Sequence, residues 1–165
     1  MAVCGLTAAL SLVLMTVGSA FGVLTYVCPM LAGFLLLGVR EKFGVRYALT
    51  LWAAIGLLAA MLVPEAEMAA LFLGVFGWYP AAKPALDKFP GLLSWTVKLL
   101  TVNGAALLVY GGLFFVLGLE TGTEGPLDWA VLLILANLVF FCYDRCLDRL
   151  RGRLTWLVRR WFKRL

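Results

Sequence analysis

Polar side chains inside apolar stretches are the residues of this sequence most able to do chemistry, because hydrocarbon forces a polar group to find a partner. Asn103 and Tyr110 are seven residues apart in one apolar stretch, so they share a helix face, and Asn137 lies near the middle of another. Tyr26 and Trp129 stand at the ends of their stretches. These five residues are the predicted substrate-binding positions. For the two asparagines, hydrogen bonds that lock neighbouring helices together are the alternative.

Acidic residues are concentrated in the segments that join these stretches on one side. They include Glu65, Glu67, Glu120, Glu124 and Asp128, with no Lys or Arg among them. Such a rim attracts cationic solutes and repels anionic ones. An ordinary outer surface of a membrane protein has the same composition, so both interpretations stay open.

Catalytic and metal-binding patterns are not found in the sequence. It has no histidine, no Gly-x-x-x-x-Gly-Lys phosphate loop and four cysteines that are too dispersed for a zinc site. We therefore predict a protein that is not an enzyme and has no cofactor or metal. The net charge of +5 comes from loops and the tail, which favours anionic lipid rather than nucleic acid as the partner.

The elements that must position these residues follow from composition. The chain is 64% apolar and 14% charged, whereas soluble domains are about half apolar and about a quarter charged. Continuous apolar blocks predict an all-α polytopic membrane protein, a bundle of six transmembrane helices in residues 1–143. The predicted helices cover residues 2–26, 30–39, 47–63, 68–79, 92–119 and 127–143.

The positions of the basic residues predict the orientation. With the N-terminus inside, six spans place the clusters near Arg40, Lys83 and the tail after Arg145 on the cytoplasmic side. Both termini are then cytoplasmic, in the plasma membrane of a bacterial cell. Lys98 lies near the inner end of its helix, from which its ammonium would reach the interface.

Residues 144–165 are predicted to form a basic amphipathic helix in the membrane interface, because leucines recur at spacings of three and four among arginines. The predicted interface residues are Arg149, Arg153, Trp156, Arg160 and Trp161. Membrane-surface anchoring is the first interpretation, and docking to a cytoplasmic partner is the other.

Small residues line the first helix at Gly5, Ala8 and Ala9, which lets another helix approach closely, within the bundle or from a partner. The stretches Gly5–Leu10 and Cys28–Gly33 resemble the substrate-binding S components of energy-coupling factor (ECF) transporters, and so does the layout of most of the chain. The resemblance implies high-affinity capture of a small nutrient from outside, of unknown identity. It also implies docking, through the first helix, on a coupling subunit driven by two cytoplasmic ATPases.

A non-catalytic membrane scaffold is the competing interpretation. The rod-shape-determining membrane proteins of bacteria are also small, multi-helical and free of catalytic motifs. A basic tail helix and interhelical asparagines suit such a scaffold as well. A tightly bound small molecule would separate the two classes, because a scaffold needs none.

Overall fold

The computed structural model describes the backbone of residues 2–88, 90–117 and 126–162, and their side chains except at positions 23, 92, 113–117, 126–132 and 153–162. The chain is all-helical over these residues, as the sequence predicts. In order, the helices are α1 (Ala2–Gly18), a 3₁₀ turn (Gly22–Leu24), α2 (Val27–Phe43), α3 (Val45–Leu62), α4 (Ala66–Leu71), a π-helix (Phe72–Phe76), α5 (Tyr79–Leu86), α6 (Gly91–Leu117) and α7 (Pro126–Phe162).

Glycine and proline determine where several helices end. Gly44 alone joins α2 to α3; its φ of 98° lies in the region that favours glycine, and its N–H donates to the carbonyl of Arg40 at 2.9 Å. Pro64, just beyond Val63, cannot continue α3. At the end of α1, a methyl group on Gly18 would lie 3.1 Å from Cβ of Cys28. That close approach brings the start of α2 back against α1.

Two apolar clusters form the core, and α2 contributes to both. The first joins α1, α2, α3, α4 and the start of the π-helix around Met15, Leu36 and Phe72. The second joins α2, the π-helix, α5, α6 and α7, and Tyr79 and Phe140 lie at its centre with ring centroids 4.9 Å apart. Because α2 is covered from both sides, it is the central helix of the bundle.

The π-helix and the turn after it bring α5 against α7. Gly77 donates to the carbonyl of Phe72, five residues back, which is the hydrogen bond of a π-turn. The Phe76 carbonyl has no N–H four residues ahead, because Pro80 occupies that position. The Tyr143 hydroxyl of α7 donates to this carbonyl instead, at 3.0 Å.

Several predicted boundaries are wrong. The first helix ends at Gly18 rather than at residue 26, and Arg40–Lys42, predicted as a loop, lies within α2. The segment after Tyr79, also predicted as a loop, is helix α5. The predicted sixth helix and the tail helix form one unbroken helix, α7, of 37 residues, so no turn separates residues 143 and 144.

Two helices of the described part, Val45–Leu62 and Leu93–Gly112 within α6, are long and apolar enough to cross a membrane. The share of residues buried within the bundle is only 22% in the first and 17% in the second. Helix α1 is also apolar, but its 17 residues make it shorter than these two helices.

Candidate functional site

Glu67 is the meeting point of three separate chain segments. Its Oε1 accepts a hydrogen bond from Tyr26, before α2, and another from Tyr110 of α6, each at 3.0 Å. The two phenolic oxygens are 3.4 Å apart. We call Thr25, Tyr26, Glu65, Glu67 and Tyr110 the tyrosine–glutamate cluster. It brings together two of the predicted substrate-binding residues, Tyr26 and Tyr110, with two glutamates of the predicted acidic rim.

Glu65 adds a second carboxylate to this cluster. Its Oε1 accepts from the Thr25 hydroxyl at 2.7 Å, while its Oε2 is buried and has no hydrogen-bond partner. Burial raises the pKa of the Tyr26 hydroxyl above its ordinary value; the contact with Tyr110 opposes this shift and the negative charge of Glu67 adds to it. Among the described side chains, no Lys or Arg lies within ion-pair distance of either glutamate. The cluster therefore presents uncompensated negative charge.

Asn103 and Asn137 form a reciprocal pair between α6 and α7. The amide of each donates to the side-chain oxygen of the other, at 3.0 and 3.1 Å. Each amide also donates to a carbonyl one turn back in its own helix, Leu99 at 2.9 Å and Leu133 at 2.8 Å. All four amide hydrogens are thereby used. This geometry is that of a hydrogen-bonded link between two helices, the alternative to substrate binding that the sequence analysis left open for these asparagines.

A buried ion-pair network, which the sequence did not predict, joins α5 to α7. Lys83 of α5 forms an ion pair with Asp144 and another with Asp148 at 3.0 Å, both on α7. The Tyr79 hydroxyl also donates to Asp144, at 2.5 Å. The side chains of Lys83 and Asp144 are each only 2% exposed. A signal existed in the sequence: Asp144 and Asp148 are two carboxylates one turn apart at the start of an otherwise basic tail.

Lys98 belongs to the same network. Its ammonium lies 2.5 Å from Asp87 and 3.5 Å from Asp144, and its side chain is 6% exposed. The ammonium of Lys98 thus pairs with carboxylates of the protein itself, which the sequence did not predict. The network ties together α5, α6, α7 and the turn between α5 and α6.

The remaining predicted site residues are on α1 and α7. On α1, Gly5 and Ala9 are exposed and Ala8 packs partly against the first core cluster. Arg149 is exposed on α7. The other residues lie on the α7 backbone but outside the described side chains; they are Trp129, Arg153, Trp156, Arg160 and Trp161.

Among the described residues, no group of three Cys, Asp or Glu side chains is placed to hold a metal ion. Comparison with known proteins gives no family: no protein-family model, no curated protein and no solved structure matches this chain significantly. The geometry of the site is thus the basis for any functional assignment.

Proposed function

We propose that this protein is a multi-pass membrane subunit that binds a small cationic solute at the tyrosine–glutamate cluster and presents it to a transport partner. The observation that carries the proposal is the convergence of Tyr26 and Tyr110 on Glu67 from segments far apart in sequence. The positive-inside rule assigns this end of the bundle to the outer side.

The exposed surface supports the membrane location. Highly exposed large apolar side chains lie on α1, α3, α6 and α7, among them Leu6 at 72%, Met61 at 85%, Leu108 at 79% and Ile134 at 70% exposure. Exposure of this many large apolar side chains fits contact with lipid rather than with water. The six-span topology, with both termini cytoplasmic, is the arrangement that places the basic clusters on one side.

The chemistry of the cluster supports a cationic solute. Two carboxylates with no basic partner nearby attract a cation, and two tyrosines supply aromatic faces for cation–π contact. Because Glu67 accepts hydrogen bonds from both tyrosine hydroxyls, a solute that binds to this carboxylate would replace one of those hydrogen bonds with its own contact. The resemblance to ECF S components supports a further step, in which the solute-bound protein docks on a coupling subunit driven by ATPases.

Solute binding is tested on the full chain in mild detergent. We would measure the melting temperature with tetramethylammonium, putrescine and the neutral analogue tert-butanol as probes, and identify co-purified small molecules by mass spectrometry. A cation-specific rise in melting temperature that is lost in Glu67→Gln and kept in Glu41→Gln, a carboxylate of α2, is expected. Equal responses of both variants, or no response with no co-purified solute, would move the assignment to a scaffold.

Partner docking is tested separately by affinity capture from native membranes. We expect co-purification of a membrane coupling subunit with paired ATPases, and its loss in the Gly5→Leu/Ala9→Leu variant. The matched control is Val3→Leu/Val13→Leu, which changes exposed residues of α1 without filling the small-residue positions. Capture that survives the Gly5→Leu/Ala9→Leu change would exclude this face as the contact.

A further inference from the structure

A cleft of about 670 Å³ opens between the start of α6 and the middle of α7, at the end of the bundle that carries the ion-pair network. This volume is within the range of about 300–1,000 Å³ that small-molecule sites occupy. Its lining includes the buried Lys98 and Asp144 and the exposed Arg145 and Arg149. The cleft is separate from the tyrosine–glutamate cluster and has no part in the proposed solute binding.

The charges that line the cleft do not balance. Each carboxylate in it is already paired with a lysine: Asp87 with Lys98 at 2.5 Å, Asp148 with Lys83 at 3.0 Å, and Asp144 with both lysines. The two arginines differ in this respect. Within the described side chains, no carboxylate lies within ion-pair distance of Arg145 or Arg149.

The two guanidinium groups are placed to act together. Arg145 and Arg149 are four residues apart on a continuous helix, so they stand on one face about one turn apart. The Arg145 guanidinium lies over the Phe141 ring, 5.1 Å from its centroid. Planar guanidinium groups bind phosphate oxygens through paired hydrogen bonds, which makes a phosphate the best-matched ligand for this pair.

The walls of the cleft favour a lipid as the source of that phosphate. Trp95 and Phe141 stack with centroids 5.4 Å apart and an angle of 28° between the rings. Tryptophan is enriched at the level of the headgroups in membrane proteins. On the same two helices, Leu93 and Leu138 are 51% and 59% exposed and offer an apolar surface to acyl chains.

We infer that this cleft binds the phosphate headgroup of an anionic phospholipid, with Arg145 and Arg149 holding the phosphate and Trp95 and Phe141 lining the start of the acyl chains. Binding there would fix α6 and α7 relative to one another at the membrane surface. It would also give the basic tail a specific lipid contact beyond general attraction to anionic headgroups.

Native mass spectrometry of the full chain in mild detergent tests the inference. Phosphatidylglycerol and phosphatidylcholine are added separately, and the bound fraction is compared among wild type, Arg145→Gln/Arg149→Gln and the charge-matched control Lys42→Gln/Arg46→Gln. The control removes two exposed cations at the α2–α3 connection. We expect wild type and control to prefer phosphatidylglycerol, and the arginine variant to bind it roughly tenfold more weakly.

A second measurement separates lipid from soluble phosphate and guards against misfolding. The melting temperature of each variant is recorded without ligand, with phosphatidylglycerol and with millimolar inorganic phosphate. Stabilisation by phosphatidylglycerol alone, lost in the arginine variant, is the expected result. Equal stabilisation of the arginine variant and the control would overturn the site, and stabilisation of wild type by inorganic phosphate alone would overturn its assignment to lipid.

Discussion

The Tyr143 hydroxyl of α7 donates a hydrogen bond to the Phe76 carbonyl at 3.0 Å, and Gly33 of α2 lies directly against both groups. A β-carbon at Gly33 would be 2.6 Å from the Phe76 oxygen and would overlap the Tyr143 hydroxyl. Three helices therefore meet at one point where there is no room for a side chain. Pro80, four residues after Phe76, has no N–H to donate to this carbonyl, which leaves the carbonyl available to Tyr143.

Gly33→Ala is expected to destabilise the protein by about 2 kcal/mol or more, because the added methyl must displace backbone and a buried tyrosine. Gly38→Ala, in the same helix, is the matched control, since nothing lies within 4 Å of its β-carbon position. It should stabilise the helix by up to about 1 kcal/mol. Both values come from unfolding in a mixed-detergent titration. Similar effects of the two variants would contradict the close contact.

Asn103→Ala and Asn137→Ala are each expected to cost about 1 kcal/mol of unfolding free energy, because each leaves the partner amide without its interhelical bond. The double variant should cost less than the sum, by roughly 0.6 kcal/mol. A double-mutant cycle in the same titration measures this coupling. Strictly additive costs would mean that the two side chains do not stabilise one another.

Lys83→Met is expected to destabilise by about 3 kcal/mol, because it removes the principal partner of the buried Asp144 carboxylate. Lys88→Met, an exposed lysine nearby, should change stability by less than about 0.5 kcal/mol. Adding Asp144→Asn to Lys83→Met removes the buried carboxylate that has lost its principal partner, so the double variant should be more stable than Lys83→Met alone. Thermal unfolding in detergent provides the comparison.

Stability should fall in acid because of Asp144, the first residue after the predicted sixth span. Burial alone would raise the pKa of this carboxyl, but hydrogen bonds from Lys83 and Tyr79 and the charge of Lys83 outweigh burial and hold the pKa below its ordinary value. The unfolded chain therefore takes up this proton at higher pH than the folded protein does. The stabilisation is complete above the ordinary value of about 3.9 and is lost as the pH falls through the folded pKa.

The check on this pH dependence is the Asp144→Asn variant. Its melting temperature should be lower than that of wild type near neutral pH, and the difference should shrink as the pH falls below about 4. A difference that stays constant across this range would show that ionisation of Asp144 does not contribute to stability.

The sequence predicted the helical class and the existence of most helices, because continuous apolar blocks indicate helices directly. It did not predict the partners of the polar residues. Tyr26 and Tyr110 are far apart along the chain, and periodicity says nothing about which faces of different helices meet. Lys83 lies in a Pro-rich, charged segment whose composition is typical of a loop. In the structure this segment is helix α5, which packs into the second core cluster through Tyr79, and the Lys83 side chain is buried next to Asp144.

The unbroken course of α7 has a mechanical consequence. At 1.5 Å per residue its 37 residues extend about 55 Å, well beyond a hydrocarbon core of about 30 Å. Because no break separates its two halves, they share one axis, and Lys83 and Tyr79 hold that axis at Asp144. A small tilt of the Asn137 part about that point would therefore move the Arg149 part in the opposite direction.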